Sequence, residues 1–214
     1  MRQQLITRIN QFNAARPWSH NDFYHRWVLR QLPRHPSRAI DLGCGTGNLV
    51  RALAARSDTV DGVDADPAVI AVARQAPGNP PGTRFSTGDL MGLTAAGRYD
   101  AVTAVAVIHH LPLEPALEKA RTLLVPRGTL VIIGCYRPVT AADTATGLLA
   151  VPANLLMGLA KSRGQAAARV AMSAPTAPPQ ESLAEIRAAA ARVLPGARIR
   201  RRLFWRYSLR YTAP

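Results

Sequence analysis

Three glycines stand within five positions of the stretch AIDLGCGTGNLV (39–50), between an apolar run and a helical pattern. Gly43, Gly45 and Gly47 leave the backbone bare, so a ligand can lie against the chain and reach amide donors of the next helix. The following apolar run, TVDGVD, ends in Asp64, 21 positions after Gly43. An acidic side chain at that distance accepts both hydroxyls of a ribose in nucleotide-binding βαβ units. The pattern therefore predicts a site for a ligand that contains a nucleoside.

The spacing of these glycines, GxGxG, narrows the kind of nucleotide. Dinucleotide folds use GxGxxG, in which the third glycine allows close helix packing and the pyrophosphate rests on the helix N-terminus. Here Asn48 takes the last glycine position, and Asp41 precedes the loop. A carboxylate would repel a pyrophosphate, whereas it suits a ligand with a cationic amino group. A nicotinamide dehydrogenase is therefore disfavoured. Asp66, followed by Pro67, is interpreted as a helix cap.

The elements that must position these residues alternate along the chain. Short apolar runs alternate with amphipathic ones from residue 38 to 134, which is typical of βαβ units and a parallel sheet. The last two runs are joined tightly and predict an antiparallel hairpin at the sheet edge. The predicted strands are RAIDL, TVDGVD, TRFSTGD, YDAVTAVAV, GTLVIIGCY, ARIRRRL and WRYSLRYTA, and the predicted helices cover 48–56, 67–75, 115–124 and 181–194.

Composition divides the remainder of the chain. Residues 1–36 are predicted to form N-terminal lid helices and residues 37–214 one α/β domain, with 137–181 as a cap inserted between strands five and six. The most apolar run, at 147–160, is shorter than the ~20 residues of a membrane span. The only cysteines, Cys44 and Cys135, suit a reducing cytoplasm and exclude a disulfide framework. We expect a cytoplasmic monomer or homodimer with no membrane span and no metal.

Five ordered segments cover residues 38 to 134: AIDLGCGTGNLV, VDGVDADPAVIAVAR, FSTGDL, YDAVTAVAVIHHL and LLVPRGTLVII. In this order and spacing they resemble the class I S-adenosylmethionine-dependent methyltransferases of the small-molecule type. The resemblance implies a Rossmann-like, doubly wound, mostly parallel seven-stranded sheet with an antiparallel C-terminal hairpin. It also implies S-adenosyl-L-methionine as the cofactor.

The resemblance further implies a role for individual residues. Asp41 and the loop that contains Gly43, Gly45 and Gly47 would hold the methionine portion, and Asp64 the ribose hydroxyls. Asp89 would meet the adenine amino group, with the backbone of Leu90 beside it. The backbone near Val105 would face the methionine end of the cofactor.

The residues that serve the acceptor are less constrained by the sequence. A sulfonium methyl is already activated, so the enzyme must mainly hold the nucleophile in line with the S–CH3 bond. A general base is needed only if the attacking atom must lose a proton. His109 and His110 follow strand four at the carboxyl edge of the sheet and are candidate bases. From the polar N-terminal segment, His20 is a third candidate, and Asn21 and Tyr24 are predicted substrate contacts; structural or capping roles are the alternatives.

A formal net charge of +14 raises the question of an anionic partner. The C-terminal run ARIRRRLFWRYSLRY could bind phosphates and stack bases, which would suit an RNA methyltransferase. The Asn/Asp-Pro-Pro-aromatic stretch usual in enzymes that methylate base amines is missing after strand four, so nucleic acid is disfavoured. A small-molecule acceptor is favoured, partly apolar if Leu148, Leu149, Leu155, Leu156 and Met157 of the cap contact it, or anionic given the arginines. The other alternative is a non-methylating relative, either a cyclase or a binding protein.

Overall fold

The computed structural model of the chain describes residues 20–94, 97–147, 150 and 178–214. The strands are β1 (Arg38–Leu42), β2 (Thr59–Asp64), β3 (Thr83–Thr87), β4 (Tyr99–Val105), β5 (Leu124–Cys135), β6 (Arg198–Arg202) and β7 (Arg206–Thr212). The helices are α1 (His20–Gln31), α2 (Asn48–Ala54), α3 (Pro67–Gln75), α4 (Leu113–Thr122) and α5 (Leu183–Val193). Short 3-10 turns cover Leu90–Gly92 and Ile108–His110.

The seven strands form one sheet in the order β3-β2-β1-β4-β5-β7-β6. Neighbours from β3 to β5 run parallel, whereas β7 is antiparallel to both β5 and β6. The predicted doubly wound sheet and its antiparallel hairpin are therefore confirmed. The topology brings the carboxyl ends of β1, β2, β4 and β5 to one edge, together with the start of β7.

Alternating side chains give the sheet two apolar faces, each covered by helices. Leu130 and Ile132 of β5 lie on the face covered by α4 and α5. Val131 and Ile133 lie on the opposite face, in the cluster that includes Tyr24 and Val28 of α1, Leu32 just after it, and residues of α2 and α3. Helix α1 thus occupies the same face of the sheet as the loop that follows β1.

Most element boundaries follow the sequence prediction, and the start of β5 does not. Helix α3 starts at Pro67 as predicted because Asp66 caps it, and its side chain accepts from the amides of Ala68 and Val69. Strand β5 was predicted to begin at Gly128, but it begins at Leu124. Tyr99 pairs with Leu124 while Ala101 pairs with Thr129, so the predicted turn is an irregularity within the strand.

The predicted lid and cap are described only in part. Residues 1–19, and Leu148, Leu149, Leu155, Leu156 and Met157 of the cap, lie outside the described residues. Of the cap, the helical residues 141–147 are described. Asp143 there is buried and forms an ion pair with Arg201 of β6. Across the described ranges, the helices are all too short or too polar to cross a membrane.

Candidate cofactor and acceptor site

The loop after β1 has the bare backbone that its glycines predict. Gly43, Gly45 and Gly47 all adopt left-handed conformations, with φ of 68°, 54° and 83°. A Cβ at Gly43 would lie 2.7 Å from Cβ of Val107, so packing and backbone conformation both require glycine there. A Cβ at Gly45 would meet nothing within 4 Å. The backbone at Gly45 therefore borders open space in which a ligand can lie against it.

Asp64, the last residue of β2, holds this loop in place. One carboxylate oxygen accepts from the Gly45 amide at 2.9 Å, and the other accepts from the Asp66 amide at 3.0 Å. The amides of Gly43 and Cys44 both donate to the carbonyl of Val63, one residue earlier. The side chain of Asp64 stays partly exposed. Because its orientation is fixed by backbone amides, its remaining lone pairs are aimed before any ligand arrives.

Asp41 lies at the carboxyl end of β1 and is almost fully buried, with 3% of its surface exposed. The hydroxyl of Thr103 on the neighbouring strand β4 donates to its carboxylate at 2.7 Å. Burial, opposed by the Thr103 hydrogen bond and reinforced by the charge of Asp64, raises the pKa of Asp41 to about 7. A buried carboxylate in this state is stabilised by a neighbouring cation. Thr103 has no signal in the sequence, because only strand pairing brings it to Asp41.

The other predicted cofactor residues follow at the same edge. Asp89 caps the 3-10 turn and accepts from the Met91 amide at 3.2 Å, while the side chain of Leu90 is buried in the core. Val105 ends β4, and the next residue, Ala106, is left-handed with φ of 56°. Such a conformation costs an alanine roughly 1–3 kcal/mol and is found preferentially at functional sites. The sequence gives no sign of it.

The two candidate histidines differ in their surroundings. His109 is half-buried, and its Nδ1 is buried without a hydrogen-bond partner among the described residues. Burial, followed by the neighbouring His110 and Arg206, lowers the pKa of His109 to about 4. The ring of His110 is exposed and lies 4.0 Å from the ring of His109. His109 is therefore the more buried member of the pair, and it is neutral at pH 7.

The N-terminal candidates lie on α1, near the start of β7. Arg206 Nη2 donates to Oδ1 of Asn21 at 3.3 Å, and its Nη1 lies 2.6 Å from Sγ of Cys135. The Tyr24 side chain is 5% exposed, and its hydroxyl donates to the Leu203 carbonyl at 2.8 Å. His20 is the first residue of α1, and its side chain is not among the described atoms. The sequence places Arg206 only in the basic C-terminal run, whereas strand pairing brings it to this edge, where it contacts Asn21.

The metal-binding residue types do not cluster in the described part of the chain. Over residues 20–94, 97–147, 150 and 178–214, no group of three or more His, Cys, Asp or Glu side chains could hold a metal ion. The polar groups at the carboxyl edge instead suit an organic ligand that has a cationic amino group and a ribose. Asp41 is buried near the end of β1, and Asp64, fixed by backbone amides, contacts the loop at Gly45.

Comparison with known proteins agrees with this geometry. The family model for a methyltransferase domain matches residues 39–128. An uncharacterized methyltransferase of Mycobacterium tuberculosis is 32% identical over 202 residues, which cover 92% of this chain and 98% of that protein. The chain belongs to the class I S-adenosylmethionine-dependent methyltransferases. S-adenosylmethionine is accordingly the methyl donor of this methyltransferase.

Two further proteins are similar to this methyltransferase over part or most of its length. Trans-aconitate 2-methyltransferase of Streptomyces avermitilis is 36% identical over 105 residues, 47% of this chain and 38% of that enzyme. The crystal structure of the YcgJ protein from Bacillus subtilis superimposes with a TM-score of 0.62 at 19% identity, over 85% of this chain and 71% of that one. The second likeness shows the shared fold alone.

Proposed function

We propose that this methyltransferase transfers the methyl group of S-adenosylmethionine to a small-molecule acceptor that enters at the carboxyl edge of β4 and β5. The observation that supports the cofactor half is the pair of contacts that Asp64 makes with the Gly45 and Asp66 amides. The similarity to trans-aconitate 2-methyltransferase supports a small acceptor. When bound, S-adenosylmethionine supplies a methyl group already activated on a sulfonium sulfur.

The acidic residues of the site hold the two polar ends of the cofactor. Asp64 accepts hydrogen bonds from the ribose hydroxyls with the lone pairs that its amide contacts leave free. Asp41 is stabilised by the cationic amino group of the methionine portion, which compensates for the burial of its carboxylate. Asp89 would accept from the adenine amino group, with the backbone of Leu90 beside it, and the Val105 backbone would border the methionine end.

On the acceptor side, orientation contributes more than proton removal. Holding a nucleophile in line with the leaving sulfur supplies roughly 7–11 kcal/mol of a barrier. His109 is neutral at pH 7, so a ring nitrogen can accept a hydrogen bond from a hydroxyl or amine of the acceptor. A base with a pKa of about 4 takes up a proton weakly, so we assign His109 mainly to orientation. His110 and His20 remain further candidate bases, and Asn21 and Tyr24 candidate substrate contacts.

Calorimetric titration with S-adenosylmethionine, and with its demethylated product, tests this proposal. We expect Asp64→Asn to lose most of the affinity for both ligands, because one carboxylate oxygen becomes an amide donor. Asp58→Asn is the matched control, since Asp58 is exposed and precedes the opposite end of the same strand. A folded wild-type protein that binds neither ligand would refute the proposal. So would equal affinities in the two variants.

Once binding is established, acceptors can be screened by transfer of a labelled methyl group. We expect labelled product with at least one small molecule and none with the His109→Ala variant at equal cofactor affinity. Replacement by Gln keeps a hydrogen-bond acceptor and should restore part of the activity. Full activity of His109→Ala would remove His109 from the reaction.

A further inference from the structure

A groove of about 290 Å³ lies between α1 and the β6–β7 hairpin, outside the cofactor loop. Trp27 and Gln31 of α1 form one side of it, and the hairpin forms the other. Four of its lining residues are arginines: Arg198, Arg200, Arg202 and Arg210. We call this feature the arginine groove. Its volume is small for a drug-sized ligand but sufficient for a compact charged group.

Strand register explains why so many guanidinium groups meet in the arginine groove. Arg198 pairs with Arg210, Arg200 with Ser208, and Arg202 with Arg206 across the hairpin. Paired residues on antiparallel strands point to the same face, so these side chains form one row. Two like charges directly opposite each other are unfavourable for the hairpin. The row therefore costs the fold some stability unless an anion lies against it.

The charges of the arginine groove have no counterpart in the described part of the chain. None of its four arginines forms an ion pair with a described carboxylate, whereas Arg201, on the other face of β6, is paired with Asp143. The groove arginines are also not all freely solvated. The guanidinium of Arg202 lies 4.4 Å from the ring centroid of Trp27, and its Nε donates to Ser208. Nε of Arg210 donates to the Gln31 carbonyl.

Arg206 connects the arginine groove to the carboxyl edge of the sheet. It pairs with Arg202 on one side and with Cys135, the last residue of β5, on the other. Strand β5 in turn pairs Ile133 with Val105, the end of β4, where the methyl group is expected. Nε of Arg206 is buried and has no described hydrogen-bond partner. The row of guanidinium groups thus runs from the reacting end of the site out along the hairpin.

We propose that the arginine groove binds an oxyanion-bearing portion of the acceptor, a group with at least two negative charges. This inference rests on the proposed function and narrows its substrate class. The guanidinium plane matches the oxygen pairs of phosphates and carboxylates, and two of the groups are already oriented by Trp27, Ser208 and Gln31. With its anionic part in the arginine groove, an acceptor extends past Arg206 towards His109 and the methyl group.

Calorimetry on the whole protein tests the arginine groove without any transfer reaction. The probes are inorganic pyrophosphate and citrate, titrated separately at fixed ionic strength, which distinguishes a phosphate from a carboxylate source. We expect one of the two to bind and the double variant Arg198→Gln/Arg200→Gln to bind it about tenfold or more weakly. Arg121→Gln/Arg187→Gln removes the same charge from exposed helix positions and should stay within about twofold of wild type.

S-adenosylmethionine binding, measured on the same samples, separates the two proposals. If the cofactor binds while both double variants bind the oxyanions equally, the arginine groove proposal alone fails. If the cofactor fails to bind, the proposed function fails, and the assignment of the groove to an acceptor fails with it. A short single-stranded RNA that binds more tightly than either oxyanion, and is lost in the Arg198→Gln/Arg200→Gln variant, would overturn the small-molecule assignment in favour of nucleic acid.

Discussion

Two parts of the molecule, the acidic half at β1 and β2 and the basic half on the β6–β7 hairpin, carry opposite charges and are built in different ways. At β1 and β2 the functional groups are carboxylates: backbone amides hold Asp64, and the Thr103 hydroxyl holds Asp41. At the β6–β7 hairpin they are guanidinium groups, placed by cross-strand pairing and by α1. The acidic half suits a cationic cofactor, and the basic half suits an anionic partner. Under the two proposals above, each half is matched to the charge of a different ligand, the cofactor or the acceptor.

The largest expected effect comes from the acidic half. Gly43→Val places a branched side chain at a φ of 68° and within 2.7 Å of the Val107 side chain. We expect a loss of roughly 2–5 kcal/mol in the free energy of unfolding, together with loss of cofactor binding. Urea denaturation measures the first effect and calorimetry the second. Gly92→Ala, where a Cβ meets nothing within 4 Å, is the control and should change stability by less than about 1 kcal/mol.

The second prediction concerns Asp41 and depends on pH. The pKa of Asp41 rises from 3.8 to about 7 on folding, so its contribution to stability is lost as pH rises from about 4 to about 7. Asp41→Asn should therefore be neutral at pH 4 and stabilise the cofactor-free protein by roughly 1–4 kcal/mol above pH 7. Cofactor affinity should fall at the same time. If the melting temperatures of wild type and variant change in parallel across this pH range, the raised pKa of Asp41 is contradicted.

A smaller loss of stability is expected at Arg201, an arginine of the β6–β7 hairpin that is already paired with a carboxylate. Arg201 forms an ion pair with the buried Asp143, which also accepts from the Val139 and Thr140 amides. Arg201→Gln should cost roughly 1–2 kcal/mol, because it leaves a buried carboxylate without its cation. Chemical denaturation beside Arg187→Gln, an exposed position on α5, checks this. Equal free energies of unfolding for the two variants would mean that the ion pair does not stabilise the described part of the cap.

The smallest expected effect is a gain in the free energy of unfolding, whereas the preceding one is a loss. Arg198→Gln removes one of two cations that face each other across the hairpin, with Arg210 opposite. We expect a gain of roughly 0.2–1 kcal/mol at low salt, because like charges in register repel each other. The gain should vanish in concentrated salt, which screens exposed charges. A loss of stability for Arg198→Gln at low salt would contradict this. It would mean that Arg198 and Arg210 do not repel each other enough to weaken the hairpin.

The sequence predicts the acidic half well and the basic half poorly. Gly43, Gly45 and Asp64 lie within one βαβ unit, so their spacing along the chain already describes their spacing in the fold. Arg206 and Thr103 matter through partners that stand 185 and 62 residues away, Asn21 and Asp41. No local sequence pattern indicates contacts between residues so far apart in the chain. The sheet itself could be predicted because alternation of apolar and polar residues is a local property.

Two finer features, one of the backbone and one of a side chain, could not be predicted from the sequence for a different reason. The left-handed conformation of Ala106 depends on the chain leaving β4 while its amide donates to the Ile133 carbonyl of β5. The low pKa of His109 depends on burial and on Arg206. Both are consequences of packing, and neither residue type indicates them. The sequence placed His109 and His110 together but could not distinguish their environments.

The hydrogen bonds of Asp64 bear on when the cofactor loop becomes ordered. By joining the Gly45 and Asp66 amides, one side chain ties the glycine-rich segment to the start of α3. Glycine loses more conformational freedom on ordering than any other residue. Here the loop loses this conformational entropy during folding, so ligand binding does not have to order the loop. A loop fixed in advance favours a slow off-rate and little rearrangement of the backbone on association.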